Sequence, residues 1–107
     1  MKTLKFRKEL SELILNGQKT STWRLFDDKD LSVGDIVSFV VWETGEEFAR
    51  VELIFVKETT FGQLTSNDWE GHETFESEEK MYKVYEEYYK RPVDENSPVK
   101  IIKFRFL

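Results

Sequence analysis

Gly17-Gln18-Lys19-Thr20-Ser21-Thr22-Trp23-Arg24 is the stretch on which the reading of this chain turns. Upstream, from Arg7 to Asn16, Leu10, Leu13 and Ile14 recur at i, i+3 and i+4, which places them on one helical face. Asn16-Gly17 then stops the helix, because glycine takes the left-handed conformation freely. Thr20 to Leu25 is rich in β-branched and aromatic residues and reads as a strand. The junction gathers a lysine, three hydroxyls and an arginine, a set that a helix-to-strand turn can present at a pocket mouth.

Working outward, residues 3–6 read as a short extended lead-in and Asp27-Asp28-Lys29-Asp30 as a polar loop. Leu31 to Gly34 leads to a turn at Asp35. Ile36 to Trp42 is nearly continuous in apolar residues, the pattern of a strand covered on both sides. Glu43-Thr44-Gly45-Glu46 signals a hairpin. The return strand, Glu47 to Lys57, sets Ala49, Val51, Leu53 and Phe55 on one face against Arg50 and Glu52 on the other. Thr59 to Thr65 is a connector with Phe61 and Leu64 as plugs, and Asn67 to Phe75 lacks a period and reads as an ordered loop. Ser77 is an N-cap, and Met81, Val84, Tyr85 and Tyr88 form the stripe of a helix ending near Tyr89. Val99 to Leu107 closes the chain as a strand with Ile102, Phe104 and Phe106 facing one way. The expected fold is α+β: a small β-barrel with helices capping its ends, as one domain over residues 1–107.

The totals fit such a domain. The chain has 107 residues, 39% of them hydrophobic and 15% aromatic, enough for a packed core. It has no cysteine, which excludes disulfides and thiolate metal sites. A single histidine, His72, excludes a multi-histidine metal site and a Ser-His triad of the usual kind. No apolar run approaches about 18 residues and the N-terminus has no apolar signal core, so the expectation is a soluble cytoplasmic protein with no membrane partner. Net charge is −5, yet residues 1–24 carry +4 and residues 98–107 carry +3, leaving −12 between them. Pairing of the two ends in one sheet puts a basic face on an acidic body, suited to a phosphate-bearing ligand.

Lys19 and Thr22 share a pocket only if the chain bends at the lysine, since a three-residue offset on a strand points to opposite faces. A threonine hydroxyl needs a base to become a nucleophile, and a desolvated lysine with a lowered pKa can serve. Glu70 and Glu73 are the carboxylates on offer as acid, in a loop that Gly71 frees. Trp23 reads as core, as do Trp42 and Trp69, although a loop indole at Trp69 can stack a base. His72 reads as a polar loop residue rather than a general base.

Taken together, Gly17-Gln18-Lys19-Thr20-x-Thr22-x-Arg24 and Val33-Gly34-Asp35 resemble the ASCH domain of the PUA-like superfamily. Leu64-Thr65, the Asp68-Trp69-Glu70-Gly71 loop, the helix to Tyr88-Tyr89 and the strand Lys100 to Phe104 extend the resemblance over essentially the whole chain. The resemblance implies a PUA-like β-barrel with a cleft for RNA or nucleosides. Small bacterial members are N4-acetylcytidine amidohydrolases that use a lysine, a threonine and a glutamate. Carried over by motif, these are Lys19, Thr22 and Glu70 as catalytic residues. The chain is a few residues longer than that subgroup after Glu70, so Glu73 is the alternative acid, and Trp23 is bulkier than the aliphatic residue expected there. Thr20, Arg24 and Trp69 are the substrate-binding candidates, with no metal and no cofactor.

Two functions follow as expectations. One is hydrolysis of an acylated cytosine nucleoside by a monomeric enzyme, with a small nucleoside or RNA as ligand. The other is a non-catalytic RNA-binding module, with Lys19 and Arg24 on phosphate. Ribonuclease action ranks last, for want of a histidine pair.

Overall fold

The computed structural model describes residues 1–26 and 29–107, so the Asp27-Asp28 part of the expected polar loop lies outside the described residues. Among the described residues five strands and three α-helices follow one another: β1 (Lys2–Phe6), α1 (Lys8–Leu15), β2 (Ser21–Leu25), β3 (Ile36–Val41), β4 (Glu47–Thr60), α2 (Ser66–Trp69), α3 (Glu78–Tyr89) and β5 (Pro98–Phe106). The strands form one curled sheet in the order β1-β3-β4-β5-β2, a half-barrel. β1 runs parallel to β3, and the remaining pairs are antiparallel. The α+β barrel expected from the sequence is thus the observed architecture, left open along one seam. Across that seam the Arg24 Nη2 on β2 donates to the Lys5 carbonyl on β1 at 2.7 Å.

Both faces of the sheet are covered. Leu4, Phe6, Ile14, Val37, Phe39, Leu53, Ile102 and Phe104 form one cluster, and Trp23, Leu25, Phe61, Met81, Tyr85 and Ile101 form the other. Ile101 and Ile102, adjacent on β5, are both fully buried because each feeds a different cluster. Thr22 and Trp23, adjacent on β2, are likewise both buried.

Two details differ from the sequence reading. In β4 the pairing jumps from Leu53 opposite Phe104 to Phe55 opposite Lys103, so Ile54 is an extra residue, a β-bulge. The bulge inverts the alternation, turning Phe55 out (37% exposed) and Val56 toward the first cluster. The segment read as an irregular loop contains α2, too short for a helical period but closed by a capping box. In it the Asp68 backbone N–H donates to the Thr65 hydroxyl at 3.4 Å, while the Asp68 carboxylate accepts from the Thr65 N–H at 2.9 Å.

If the bulge sets the face, Leu53 and Phe55 must differ sharply despite both being large and apolar. Leu53→Ala is expected to cost about 2–5 kcal/mol, and Phe55→Ala about 1 kcal/mol or less. Urea unfolding of the two variants checks this; equal losses would place Phe55 in the core and remove the bulge.

Candidate functional site

A Schellman turn ends α1. Gly17, with φ +84°, lets its own N–H reach the Ile14 carbonyl and the Gln18 N–H reach the Leu13 carbonyl at 3.0 Å. The Lys19 N–H also donates to Leu13, so the lysine leaves the turn with its backbone tied to the helix. Two residues later β2 begins. This is the bend that Lys19 and Thr22 require to face one cavity.

A second segment comes from far along the chain. After α2, Gly71 (φ +79°) turns the chain so that its carbonyl accepts from both the Thr20 N–H at 2.8 Å and the Ser21 N–H at 3.1 Å. The Cβ of any other residue at 71 would meet the Thr20 hydroxyl oxygen at 2.0 Å. This close backbone approach brings His72 and Glu73 beside Lys19. The Lys19 Nζ lies 2.5 Å from the Glu73 Oε1, with the lysine 2% exposed.

His72 is held on every side. Its ring stacks on Trp23 with centroids 3.8 Å apart and planes 17° apart. Nδ1 lies 2.8 Å from the Glu73 carbonyl, which only accepts, so Nδ1 carries the proton. Nε2 then accepts from the Tyr85 hydroxyl at 3.2 Å. Burial, reinforced by the Lys19 charge, pulls the His72 pKa down to about 4, so the ring is neutral at pH 7. Burial likewise lowers the Lys19 pKa, and the Glu73 carboxylate opposes that fall. For Glu73, burial pushes upward, but the Lys19 ammonium, by its charge and its hydrogen bond, outweighs it and holds the carboxyl below its ordinary range.

Lys19, Thr22, Trp23, His72, Glu73 and Tyr85 line one cavity of about 470 Å³, which opens at the seam beside Arg24. Of the expected catalytic set, Lys19 and Thr22 are therefore together, and the carboxylate beside them is that of Glu73. Glu70 is the residue that ends α2; it is exposed and lies outside the cavity. The reason is the Gly71 turn, which reverses the chain between the two glutamates. Among the binding candidates, Arg24 lines the cavity, whereas Thr20 is bound to Gly71 through its backbone and lies outside.

The tryptophans exchange roles relative to the sequence reading. Trp69 packs edge-on against Trp23 at 4.6 Å, inside the second cluster, and does not line the cavity. Trp42, expected in the core, is 54% exposed and lines the mouth. Its place one residue beyond β3, at the hairpin turn, is the signal that could have found it. His72 and Tyr85 are the other site residues that sequence reasoning passed over. Among the described residues no group of three or more histidines, aspartates or glutamates is placed to hold a metal ion, and no helix is long and apolar enough to cross a membrane.

The curled half-barrel matches the fold of ASCH domains of known structure. The chain superposes on an ASCH domain from Lactobacillus crispatus JV V101 with a TM-score of 0.71 at 13% identity, covering 98% of this chain and 79% of that one. It matches ASCH from Zymomonas mobilis with a TM-score of 0.62 at 16% identity, over 96% and 65% of the two chains. A hypothetical protein of known structure matches end to end, at 25% identity and a TM-score of 0.73. These likenesses establish the fold. No sequence-family model matches the chain, and comparison with curated proteins returns no match.

Gly71→Ala is expected to destabilise the protein by about 1–3 kcal/mol, through left-handed strain plus the clash with Thr20. Adding Thr20→Ala removes the clash but not the strain, so the double variant recovers part of the loss. Thermal unfolding of both reads the difference; no recovery would mean that the two segments do not meet there.

His72 makes stability depend on pH with a defined sign. The unfolded ring takes a proton near pH 6.5, the folded ring only near 4, so its contribution is complete above pH 6.5 and is lost as pH falls toward 4. Glu73 is lowered from its ordinary 4.5, so its contribution is complete above that value and is lost only at lower pH, outside this window. Between pH 7 and pH 5 the protein is expected to lose about 2 kcal/mol, and His72→Gln to flatten the slope. Urea midpoints at the two pH values check it; an unchanged slope in the variant would take the ring out of the account.

Proposed function

We propose that this chain is an ASCH-type amidohydrolase that removes an acyl group from a modified cytosine nucleoside of the N4-acetylcytidine type. It acts as a single domain, without metal or cofactor, through Lys19, Thr22 and Glu73. The observation that carries the reading is the Lys19–Glu73 contact of 2.5 Å, buried in the cavity that Thr22 also lines.

The chemistry follows from burial. A resting pair of ammonium and carboxylate becomes less favourable as a bound substrate expels water, because a dry site disfavours both charges. Transfer of one proton across the contact converts the pair into a neutral amine and a neutral acid. Lys19 then takes the Thr22 hydroxyl proton as the oxygen attacks the amide carbonyl. Glu73 gives its proton to N4 as the C–N bond breaks, releasing the cytosine amine and leaving the acyl group on Thr22. Water completes the cycle: Glu73 removes its proton, Lys19 returns one to the threonine oxygen, and the carboxylate product leaves. The neutral His72, donating to the Glu73 backbone and stacked on Trp23, holds the acid in register.

The alternative, an RNA-binding module with Lys19 on phosphate, is disfavoured by the same contact. A lysine 2% exposed and already paired has no charge left for a phosphate.

N4-acetylcytidine is therefore expected to be hydrolysed by the pure protein. Glu73→Gln and Lys19→Ala should each lower turnover about 10²–10⁴-fold, and Glu70→Gln should leave it within about twofold. Liberated cytidine, followed by chromatography, reads the result. Equal loss in the two glutamate variants, or unchanged turnover in Lys19→Ala, would remove the assignment.

A further inference from the structure

At the mouth of the cavity an arginine is held by aromatic faces rather than by a carboxylate. The Arg7 Cζ lies 4.2 Å from the centroid of the Trp42 ring and 5.5 Å from that of Tyr88. Among the described residues the Arg7 guanidinium makes no hydrogen bond or ion pair, although Glu87 lines the same cavity and Glu9 the adjoining groove. Its backbone is fixed, since the Arg7 carbonyl accepts from the Ser11 N–H at 3.0 Å and the Ser11 hydroxyl at 3.1 Å. The Trp42 backbone N–H donates to the Phe6 carbonyl at 2.7 Å, which ties down the main chain that carries the opposing ring.

Stacking against a ring uses the flat face of a guanidinium and leaves its N–H edge available. Lys5 and Lys90 line the same mouth. Arg24 and Lys29 also line it, each engaged with partners of its own. An acidic chain, with net charge −5, therefore gathers cations where a ligand enters. The buried Lys19–Glu73 pair at the same site is internally neutral and does not account for them.

We propose that Arg7, oriented by Trp42 and Tyr88, is an anion subsite that binds a phosphate ester on the nucleoside, so that the ligand is a nucleotide rather than a free nucleoside. This rests on the cytosine nucleoside reading for the identity of the base. The guanidinium edge offers two parallel donors to phosphate oxygens, the geometry in which arginine exceeds lysine.

The test reads binding without turnover, so it stands or falls apart from the hydrolase assignment. Cytidine and cytidine 5′-monophosphate are titrated into the protein by calorimetry at low and at physiological ionic strength. The monophosphate is expected to bind roughly tenfold to a hundredfold more tightly, less so at the higher salt. Arg7→Ala should abolish the advantage while leaving cytidine affinity within about twofold, and Arg7→Lys should keep only part of it. Arg7→Gln keeps the stem over Trp42 without the charge and should also lose the advantage, which separates loss of the subsite from loss of fold. A short oligoribonucleotide binding more tightly than the monophosphate assigns the phosphate to an RNA chain, and weaker binding assigns it to a free nucleotide. Equal affinity for cytidine and its monophosphate in the unaltered protein, or an advantage that survives in both Arg7→Ala and Arg7→Gln, would overturn the proposal.

Discussion

Burying the ammonium of Lys19 is the constraint from which the rest of this structure follows. An ammonium removed from water is tolerated only beside a carboxylate, and the one that meets it lies 54 residues away in the chain. Bringing the two together requires the Schellman turn after α1, the left-handed turn at Gly71, and a carbonyl that accepts two N–H groups from the strand it abuts. Trp23 serves both purposes: its indole N–H donates to the Asp68 carbonyl at 3.2 Å, tying α2 to β2, and its face carries His72. Fold and site are built from the same few contacts, so a change at Gly71 is felt by both.

A buried ion pair is weak evidence for stability, because well-packed apolar residues of similar volume are often as stable or more so. Lys19 and Glu73 occupy a protein whose two apolar clusters already cover both faces of the sheet. In the proposed reaction, what the pair adds is a proton that can sit on either of two atoms in a substrate-sized cavity. His72 fits the same account. Its neutral ring supplies an N–H to the Glu73 backbone without adding a charge that would compete for that proton.

The parts of this that were legible in the sequence are those governed by local pattern. The helix stop at Asn16-Gly17, the hairpin at Gly45, the Ser77 cap and the strand order of types all depend on residues near one another, and all are found where the pattern puts them. Lys19 and Thr22 were legible because the bend between them is encoded by adjacent Gly17. The choice between Glu70 and Glu73 was not, since it depends on which way one left-handed turn sends the chain relative to a strand fifty residues earlier. The Ile54 bulge was equally hidden: it inverts an alternation without leaving a glycine or proline as a marker. Trp42 and Trp69 exchange places for a related reason. Whether an indole is covered depends on what the sheet curls toward, and curl is not a property of any short window.

The charge distribution shows how a partly correct sequence argument becomes a sharper structural one. Two basic ends were expected to pair into one basic face. In the sheet, β1 and β5 are separated by β3 and β4, and of the two N-terminal strands only β2 pairs with β5. The cations gather instead where the edges β1 and β2 approach across the seam, joined by the Arg24 bond to Lys5. A flat basic face attracts any polyanion, with an attraction that salt screens within about 10 Å. Cations set around an aromatic-lined mouth, above a neutral buried pair, are selective in a different way. In the proposed reaction they draw an anion to the opening but leave the floor free for an uncharged amide, so that charge governs arrival and the interior governs the chemistry.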